Sequence, residues 1–346
     1  MNSIHFTYLL RVYSYNHFIL ILLFCLFVCL VFWLYYLYVS LARAKRSWKL
    51  PTSLLGVLQA GKWEAISVVT QTGTILFALT LYSLNTWLYK LLTQIFVSQY
   101  RFPYAVQLAF AQALLMLAAL SSLCSLGCLP LQPYSLHLGE RLLVPAICQG
   151  AHAALALWAQ ANGAAVLHGL VERLLPLACT ACSHALALTP PLSARSAVLL
   201  ATAVLTSVSL TVMQASLWID ALICLYAALS LFLHSLSLCW LAKVGEGEAV
   251  CRGGGRRVSS LDLCFSMTIN KSLVLGFLCL LHPDGAPALS EGSWQSLLFL
   301  AYLLGVLLLG ALQHLLLAVA ALRCSPVAAA LLHTAQGLAE PLTSLL

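Results

Sequence analysis

The stretch WQSLLFLAYLLGVLLLGALQHLLLAVAAL, residues Trp294–Leu322, decides the fold class because it contains no formally charged residue and is rich in leucine and alanine. In a helix that rises about 1.5 Å per residue, roughly 20 residues cross the hydrocarbon core of about 30 Å. Only a helix or a closed barrel satisfies its own backbone hydrogen bonds in lipid. Because the apolar residues are continuous and do not alternate, the stretch predicts a transmembrane helix.

The rest of the chain follows the same pattern. Hydrophobic residues make up 62% of the 346 residues, against roughly half in soluble domains, and only 8% of the residues are charged. We therefore predict an all-α, polytopic membrane protein. Breaks at charges, prolines and glycines leave ten candidate spans: Phe18–Leu41, Ala65–Leu88, Tyr104–Cys128, Leu142–Gln160, Ala164–Leu188, Ser196–Met213, Leu217–Leu241, Leu261–Leu281, Trp294–Leu322 and Pro326–Leu346.

The distribution of charge predicts the orientation. Phe18–Leu41 is too long for the core of a signal peptide, so we expect a retained anchor. A basic cluster comes next, which the positive-inside rule places in the cytosol. If the following spans cross the membrane one after another from this cytosolic cluster, the basic loop Lys243–Ser260 lies in the cytosol and the acidic loop Pro283–Ser293 lies on the opposite side. Lys90 and Arg101 run against this assignment.

Charged residues inside the spans are the candidate functional groups, because a charge at membrane depth is costly and often marks a binding site. Glu172 and Arg173 lie in the middle of one span. There the arginine fork could bind phosphate, or the two charges could neutralise each other or a partner helix. Lys271, next to Asn270, is a second cation that either binds an anion or reaches the interface.

Histidines in or near the spans offer another reading. A proton-coupled exporter would use such groups near neutral pH, although histidines on apolar faces more often hydrogen-bond a neighbouring helix. These histidines are His152, His168, His184, His234, His314 and His333.

Enzyme and cofactor signatures are weak. Cys179 and Cys182 form a CxxC, but the partner motif and histidines at zinc spacing are missing, so we expect packing cysteines and no metal or other cofactor. No GxSxG, HExxH, Walker or GxGxxG motif fits its required context. The net charge of +7 is small for a nucleic-acid binder. Transport is therefore the leading class, and we expect neither enzymatic activity nor a nucleic-acid partner.

A series of short motifs occurs in one order along the chain: Ser83–Asn85, SQYRFPY at Ser98–Tyr104, LPLQPYSL at Leu129–Leu136, VERLLPL at Val171–Leu177 and RCSPVAAALLHTAQG at Arg323–Gly337. In order and spacing they resemble the nucleotide-sugar transporters of solute carrier family 35, and most of all the D-type subfamily. The resemblance covers about residues 65–346.

The resemblance implies ten helices in two inverted five-helix repeats, at about residues 65–213 and 216–346, after an N-terminal extension over residues 1–64. Phe18–Leu41 is then an extra helix, and the second repeat lacks its last helix, in line with a sequence truncated inside an apolar run. The implied activity is exchange of cytosolic nucleotide sugar for luminal nucleoside monophosphate across a Golgi or ER membrane. These nucleotides and the lipid bilayer are the expected partners, and a homodimer is left open.

Two lysines of the family are replaced here. The fourth-helix lysine falls on Glu172, beside the retained Arg173, and the ninth-helix lysine falls on Gln336. Two lost charge-assisted hydrogen bonds, at about 1.5–3 kcal/mol each, would weaken nucleotide binding. A non-transporting relative that acts through membrane-protein contacts is therefore one alternative, and the proton-coupled exporter is another. Asn85, Asn270 and Lys271 complete the predicted substrate-binding residues.

Overall fold

The chain divides into two units, Met1–Phe77 and Ala78–Leu346, and every described residue lies in the second. A computed structural model describes residues 80–97, 100, 104–161, 165–188, 198, 200–202, 204–206, 208–209, 221–251, 258–283, 290 and 293–343. The predicted anchor Phe18–Leu41 and most of the predicted span Ser196–Met213 therefore lie outside the described residues. The predicted domain boundary between residues 64 and 65 stays a prediction.

All regular secondary structure in the described part of the chain is helical. We number the helices in chain order, apart from short helical pieces between residues 198 and 209. They are α1 (80–97), α2 (Ala105–Ser125), α3 (Leu136–Ala161), α4 (Ala165–Glu172), α5 (Leu175–Ala185), α6 (Ala221–Cys251), α7 (Ser260–Leu281), α8 (Leu297–Arg323) and α9 (Pro326–Thr343).

Helices α2, α3, α6, α7 and α8 are long and apolar enough to cross a membrane, and their most apolar windows have mean hydropathies of 1.5 to 2.2. Their outer surfaces carry large apolar side chains such as Leu225, Phe277 and Leu297, which are exposed. A soluble domain seldom presents so much apolar surface, whereas lipid favours it. The structure thus agrees with the predicted class of helical membrane protein, with five candidate spans among the described residues.

The membrane helices pack around two apolar clusters. One cluster joins α2, α3, α6, α7 and α8 through residues such as Met116, Leu142 and Leu315. The other joins α1, α5, α6, α8 and α9 through residues such as Tyr82 and Leu175. Helix α6 contributes to both clusters and also packs against α3, α4 and α5. It therefore lies at the centre of the helices that form the candidate site.

The predicted span Ala164–Leu188 is not one continuous helix. It breaks between α4 and α5, where the amides of Arg173 and Leu174 bond to the carbonyls three residues earlier, at 3.2 and 3.0 Å. Pro176 lies in the first turn of α5. A proline lacks an amide hydrogen, and its ring clashes with the carbonyl four residues earlier, which here is that of Glu172. The break leaves Glu172 as the last residue of α4.

The predicted cytosolic loop Lys243–Ser260 begins later than expected, because α6 continues to Cys251. Arg141 of α3 and Glu248 of α6 form an ion pair, with Nη1 and Oε1 3.0 Å apart, which ties this end of α6 to α3. The helix that follows the loop starts in the predicted place. Ser259 and Asp262 form a reciprocal capping box at the start of α7.

Candidate functional site

The carboxylate of Glu172, at the end of α4, lies among four histidines from four helices. Its Oε2 atom is 3.2 Å from His333 Nε2 and 3.9 Å from His168 Nδ1. Its Oε1 atom is 3.6 Å from His152 Nε2 and 3.8 Å from His234 Nδ1. We call these five residues the histidine–glutamate cluster.

Local geometry explains how the cluster forms. His168 precedes Glu172 by four residues on α4, so the two side chains share one face of that helix. The other three histidines come from α3, α6 and α9, and α6 packs against both α3 and α9. All four imidazoles are largely shielded, and the side chain of Glu172 is only 15% exposed. The cluster is therefore an interior feature of the helix bundle.

Hydroxyl groups orient two sides of the cluster. Ser230 Oγ on α6 lies 2.9 Å from His152 Nδ1 and 3.0 Å from His168 Nε2, so it links the two rings. Tyr82 of α1 places its hydroxyl 2.7 Å from His333 Nδ1. An ionised carboxylate can only accept, so His333 Nε2 donates to Glu172, and the Tyr82 hydroxyl pairs with the other ring nitrogen. No motif or spacing in the sequence indicates that Ser230 and Tyr82 belong to this site.

Two polar atoms of the cluster lack a hydrogen-bond partner in the part of the chain that the structure describes. They are Glu172 Oε1 and His234 Nδ1. They face each other at 3.8 Å, a distance too long for a hydrogen bond. The rings of His152 and His234 are stacked with their centroids 3.9 Å apart. Buried polar atoms are rarely left unpaired, so the space between these groups is a candidate position for a ligand.

A second polar feature surrounds Lys271. Its buried side chain lines a small cavity between α2, α3, α7 and α8, together with Gln112, Gln149 and His314. The cavity volume is about 20 Å³, measured as space for the centres of water molecules, which is enough for about one water. Among the described residues, no carboxylate lies within ion-pair distance of Lys271. Lys271 is thus a buried basic residue in the middle of a candidate membrane span, and it lines a small cavity.

The two predicted asparagines connect helices. Asn85 of α1 donates from Nδ2 to the carbonyl of Leu309 on α8 at 3.2 Å. Asn270 of α7 donates to the carbonyl of Gly139 on α3 at 2.7 Å and accepts from the Tyr134 hydroxyl at 2.9 Å. Both side chains are buried, and neither lines the Lys271 cavity. Their observed contacts are those of helix-packing residues.

The remaining predicted residues lie elsewhere. Arg173 is buried in the turn between α4 and α5, and it does not line the Lys271 cavity. The backbone of Gln336 belongs to α9, and its side chain lies outside the described part of the structure. Of the predicted substrate-binding residues whose side chains the structure describes, Lys271 is the one that lines this cavity. Glu172 lies in the histidine–glutamate cluster, whereas Lys271 lies in the cavity.

Four of the six histidines that the sequence marks surround Glu172, and His314 lines the cavity. His184 is exposed in the last turn of α5. The CxxC cysteines pack against α6, where Cys179 accepts at its carbonyl from Cys239 Sγ at 3.4 Å, and Cys182 Sγ lies 3.5 Å from Ser235 Oγ. Both are free thiols.

Comparison with known proteins adds no family assignment. No family model matches this sequence, and no curated protein is significantly similar to it. The resemblance to nucleotide-sugar transporters therefore depends on the motifs quoted above.

Proposed function

We propose that this protein is a multi-pass membrane carrier for an anionic solute, and that Lys271 is its anion-binding cation. One observation carries the proposal: the buried side chain of Lys271 lines a small cavity, with no carboxylate beside it among the described residues. A buried charge without a counter-ion is costly in hydrocarbon. An anion bound from outside the protein would offset that cost.

The neighbours of Lys271 suit a phosphate group. Gln149 carries amide donors, and His314 adds a nitrogen that can donate. Gln112 donates from Nε2 to the carbonyl of Val306 at 3.2 Å and to the hydroxyl of Tyr89 at 3.3 Å, so its amide is held in place as a wall of the cavity. A lysine binds phosphate as a point charge, and the Gln149 amide and the His314 ring would complete the contacts to the phosphate oxygens.

More specifically, we propose that the protein exchanges nucleotide sugar for nucleoside monophosphate across a Golgi or ER membrane, and that its fold consists of inverted five-helix repeats. This proposal is supported by the ordered motifs from Ser83 to Gly337, together with an all-helical bundle that holds a cation at depth. The cavity has room for about one water, so a nucleotide would enter only after the helices move apart. Alternating access requires such a movement.

Ligand binding to the purified full chain tests the proposal. Thermal unfolding would be followed with inorganic phosphate, nucleoside monophosphates and a panel of nucleotide sugars. We expect at least one nucleotide to raise the melting temperature, and Lys271→Gln to weaken that ligand by about ten- to a hundredfold, since a charge-assisted hydrogen bond contributes about 1.5–3 kcal/mol.

Lys243→Gln is the matched control, because Lys243 is exposed on α6 and its ammonium contacts the ring of Trp240. This variant should bind like the wild type. If none of these anions stabilises the wild-type protein, the carrier proposal is wrong and the non-transporting alternative gains support. Exchange of the stabilising nucleotide would then be measured in proteoliposomes, where Lys271→Gln should lower uptake and Lys243→Gln should not.

A further inference from the structure

We propose that His152 Nε2, Glu172 Oε1 and His234 Nδ1 bind a divalent transition-metal ion of the Zn²⁺ class. The three residues come from α3, α4 and α6, and one ligand atom from each lies within 4.8 Å of the others. Glu172 Oε1 is 3.6 Å from the first histidine nitrogen and 3.8 Å from the second. This inference does not rest on the proposed transport function.

The spacing suits a metal better than it suits hydrogen bonds. In a tetrahedral zinc site with bonds of about 2.0–2.2 Å, neighbouring ligand atoms lie about 3.4 Å apart. The two distances from Glu172 Oε1 exceed that value by only a few tenths of an ångström. A hydrogen bond would need a clearly shorter separation. The two histidine nitrogens lie within 4.8 Å of each other, and their stacked rings would have to turn so that both lone pairs point at the ion.

The unpaired atoms are an independent sign of a missing ligand. Glu172 Oε1 and His234 Nδ1 have no hydrogen-bond partner among the described residues, although both are buried. One metal ion between them would satisfy both atoms, and His152 Nε2 would be the third ligand.

The surrounding hydrogen bonds orient His152 and Glu172 and leave their proposed metal-binding atoms available. His152 Nδ1 lies 2.9 Å from Ser230 Oγ, so this nitrogen can donate to the hydroxyl and leave the lone pair of Nε2 for the metal. Metal-binding histidines usually have such a partner on the other ring nitrogen. The second oxygen of Glu172 accepts from His333 Nε2 at 3.2 Å. The carboxylate is thus held on one side, and its Oε1 atom remains available on the other.

The donor set selects the class of metal. Two imidazole nitrogens and one carboxylate oxygen suit zinc and its neighbours in the first transition row, whereas calcium and magnesium prefer all-oxygen sites. Three protein ligands leave a fourth position for water or another donor, as in zinc sites that are not purely structural.

Metal titration of the full chain tests the site. The protein would be purified in detergent without a polyhistidine tag, stripped with chelator, and titrated with Zn²⁺ alone by calorimetry. Co²⁺ alone would replace zinc for visible spectroscopy. Wild-type protein should bind one Zn²⁺ at this site and melt at a higher temperature with the metal. Its Co²⁺ spectrum should show tetrahedral bands without thiolate charge transfer, which excludes the cysteines as ligands.

The variants are Glu172→Gln, His152→Ala and His234→Ala, and His184→Ala is the matched control because that histidine is exposed on α5. Each of the three should weaken Zn²⁺ binding by about 100-fold or more and abolish the metal-dependent rise in melting temperature. Glu172→Gln preserves the shape of the side chain, and its helical circular dichroism would confirm folding. The proposal is wrong if the wild type binds no Zn²⁺, if the Co²⁺ spectrum shows thiolate ligands, or if any of the three folded variants keeps the affinity of the control.

Discussion

The imidazole Nε2 of His333 lies 3.2 Å from Oε2 of Glu172, although 161 positions separate the two residues in the sequence. His333 belongs to α9, and Glu172 ends α4. The other ring nitrogen of His333 lies 2.7 Å from the hydroxyl of Tyr82 on α1. One histidine thus links three helices at a buried point of the bundle.

Tyr82→Phe should lower the free energy of unfolding by about 0.6–1.5 kcal/mol, because it removes the hydroxyl partner of His333 Nδ1 and leaves that largely shielded nitrogen unpaired. Unfolding of the purified protein in detergent measures the change. Tyr226→Phe is the control, since that ring lies edge-on against Trp158 outside the histidine–glutamate cluster. Equal stability of Tyr82→Phe and wild type would mean that the Tyr82 hydroxyl bond contributes nothing.

Asn270→Ala should destabilise the protein by about 1–3 kcal/mol, because Asn270 bonds both the Gly139 carbonyl and the Tyr134 hydroxyl. If Asn270 only joins α7 to α3, the affinity for any nucleotide that stabilises the wild type should stay the same in folded protein. A loss of nucleotide affinity without a loss of stability would instead support the predicted role of Asn270 as a nucleotide-binding residue.

Lys271→Met should stabilise the protein, in contrast to Asn270→Ala. Replacing a buried cation that lacks a carboxylate partner among the described residues should raise the free energy of unfolding by about 1 kcal/mol or more. Lys243→Met, at an exposed position, should change stability little. Thermal unfolding of the ligand-free protein distinguishes the two variants. A destabilised Lys271→Met would show that the ammonium is already well compensated inside the protein.

Gly310→Ala should cost about 1–3 kcal/mol of stability through overpacking. A β-carbon at this position of α8 would collide with the Gln112 amide, which donates to Val306 and to the Tyr89 hydroxyl. Gly247→Ala on α6 is the matched control, because a β-carbon there meets no atom within 4 Å. Helix propensity alone should make the control neutral or slightly stabilising. Similar stabilities of the two variants would contradict the close approach of α8 to α2.

Glycosylation mapping checks the orientation. An acceptor sequence for N-linked glycosylation, inserted between residues 252 and 257, should stay unmodified, because the basic loop after α6 is predicted to face the cytosol. The same sequence inserted between residues 284 and 289 should be glycosylated in the lumen. Gel mobility before and after glycosidase treatment gives the result, and the reverse pattern would invert the predicted topology.

Hydrophobic runs predicted several helices closely, because length and continuity of apolar residues decide whether a segment can lie in a membrane. Leu261–Leu281 and Trp294–Leu322 correspond to α7 and α8 within a few residues. The break in Ala164–Leu188 could also have been read from Pro176. The length of α6 could not have been predicted from the sequence in this way. Near its end, Glu248 forms an ion pair with Arg141 from another helix.

The candidate sites depended on tertiary packing. The sequence marked Glu172 and the histidines as unusual residues, but only the packing of α3, α6 and α9 around α4 brings them together. Periodicity places His168 beside Glu172, since both lie on one helix, but it says nothing about His333 or Ser230. For the same reason, the sequence placed Lys271 at membrane depth without identifying Gln112 and Gln149 as its neighbours.

The break between α4 and α5 also bears on how the protein enters the membrane during synthesis. A charged residue near the centre of an inserting helix costs about 2.5–3.5 kcal/mol, and this segment carries Glu172 and Arg173 side by side. The segment is therefore a poor candidate for entering lipid alone. Helix α3 precedes it and α6 follows it, and both supply histidines to Glu172. Integration of α4 and α5 would accordingly be completed only after the translocon has released α6.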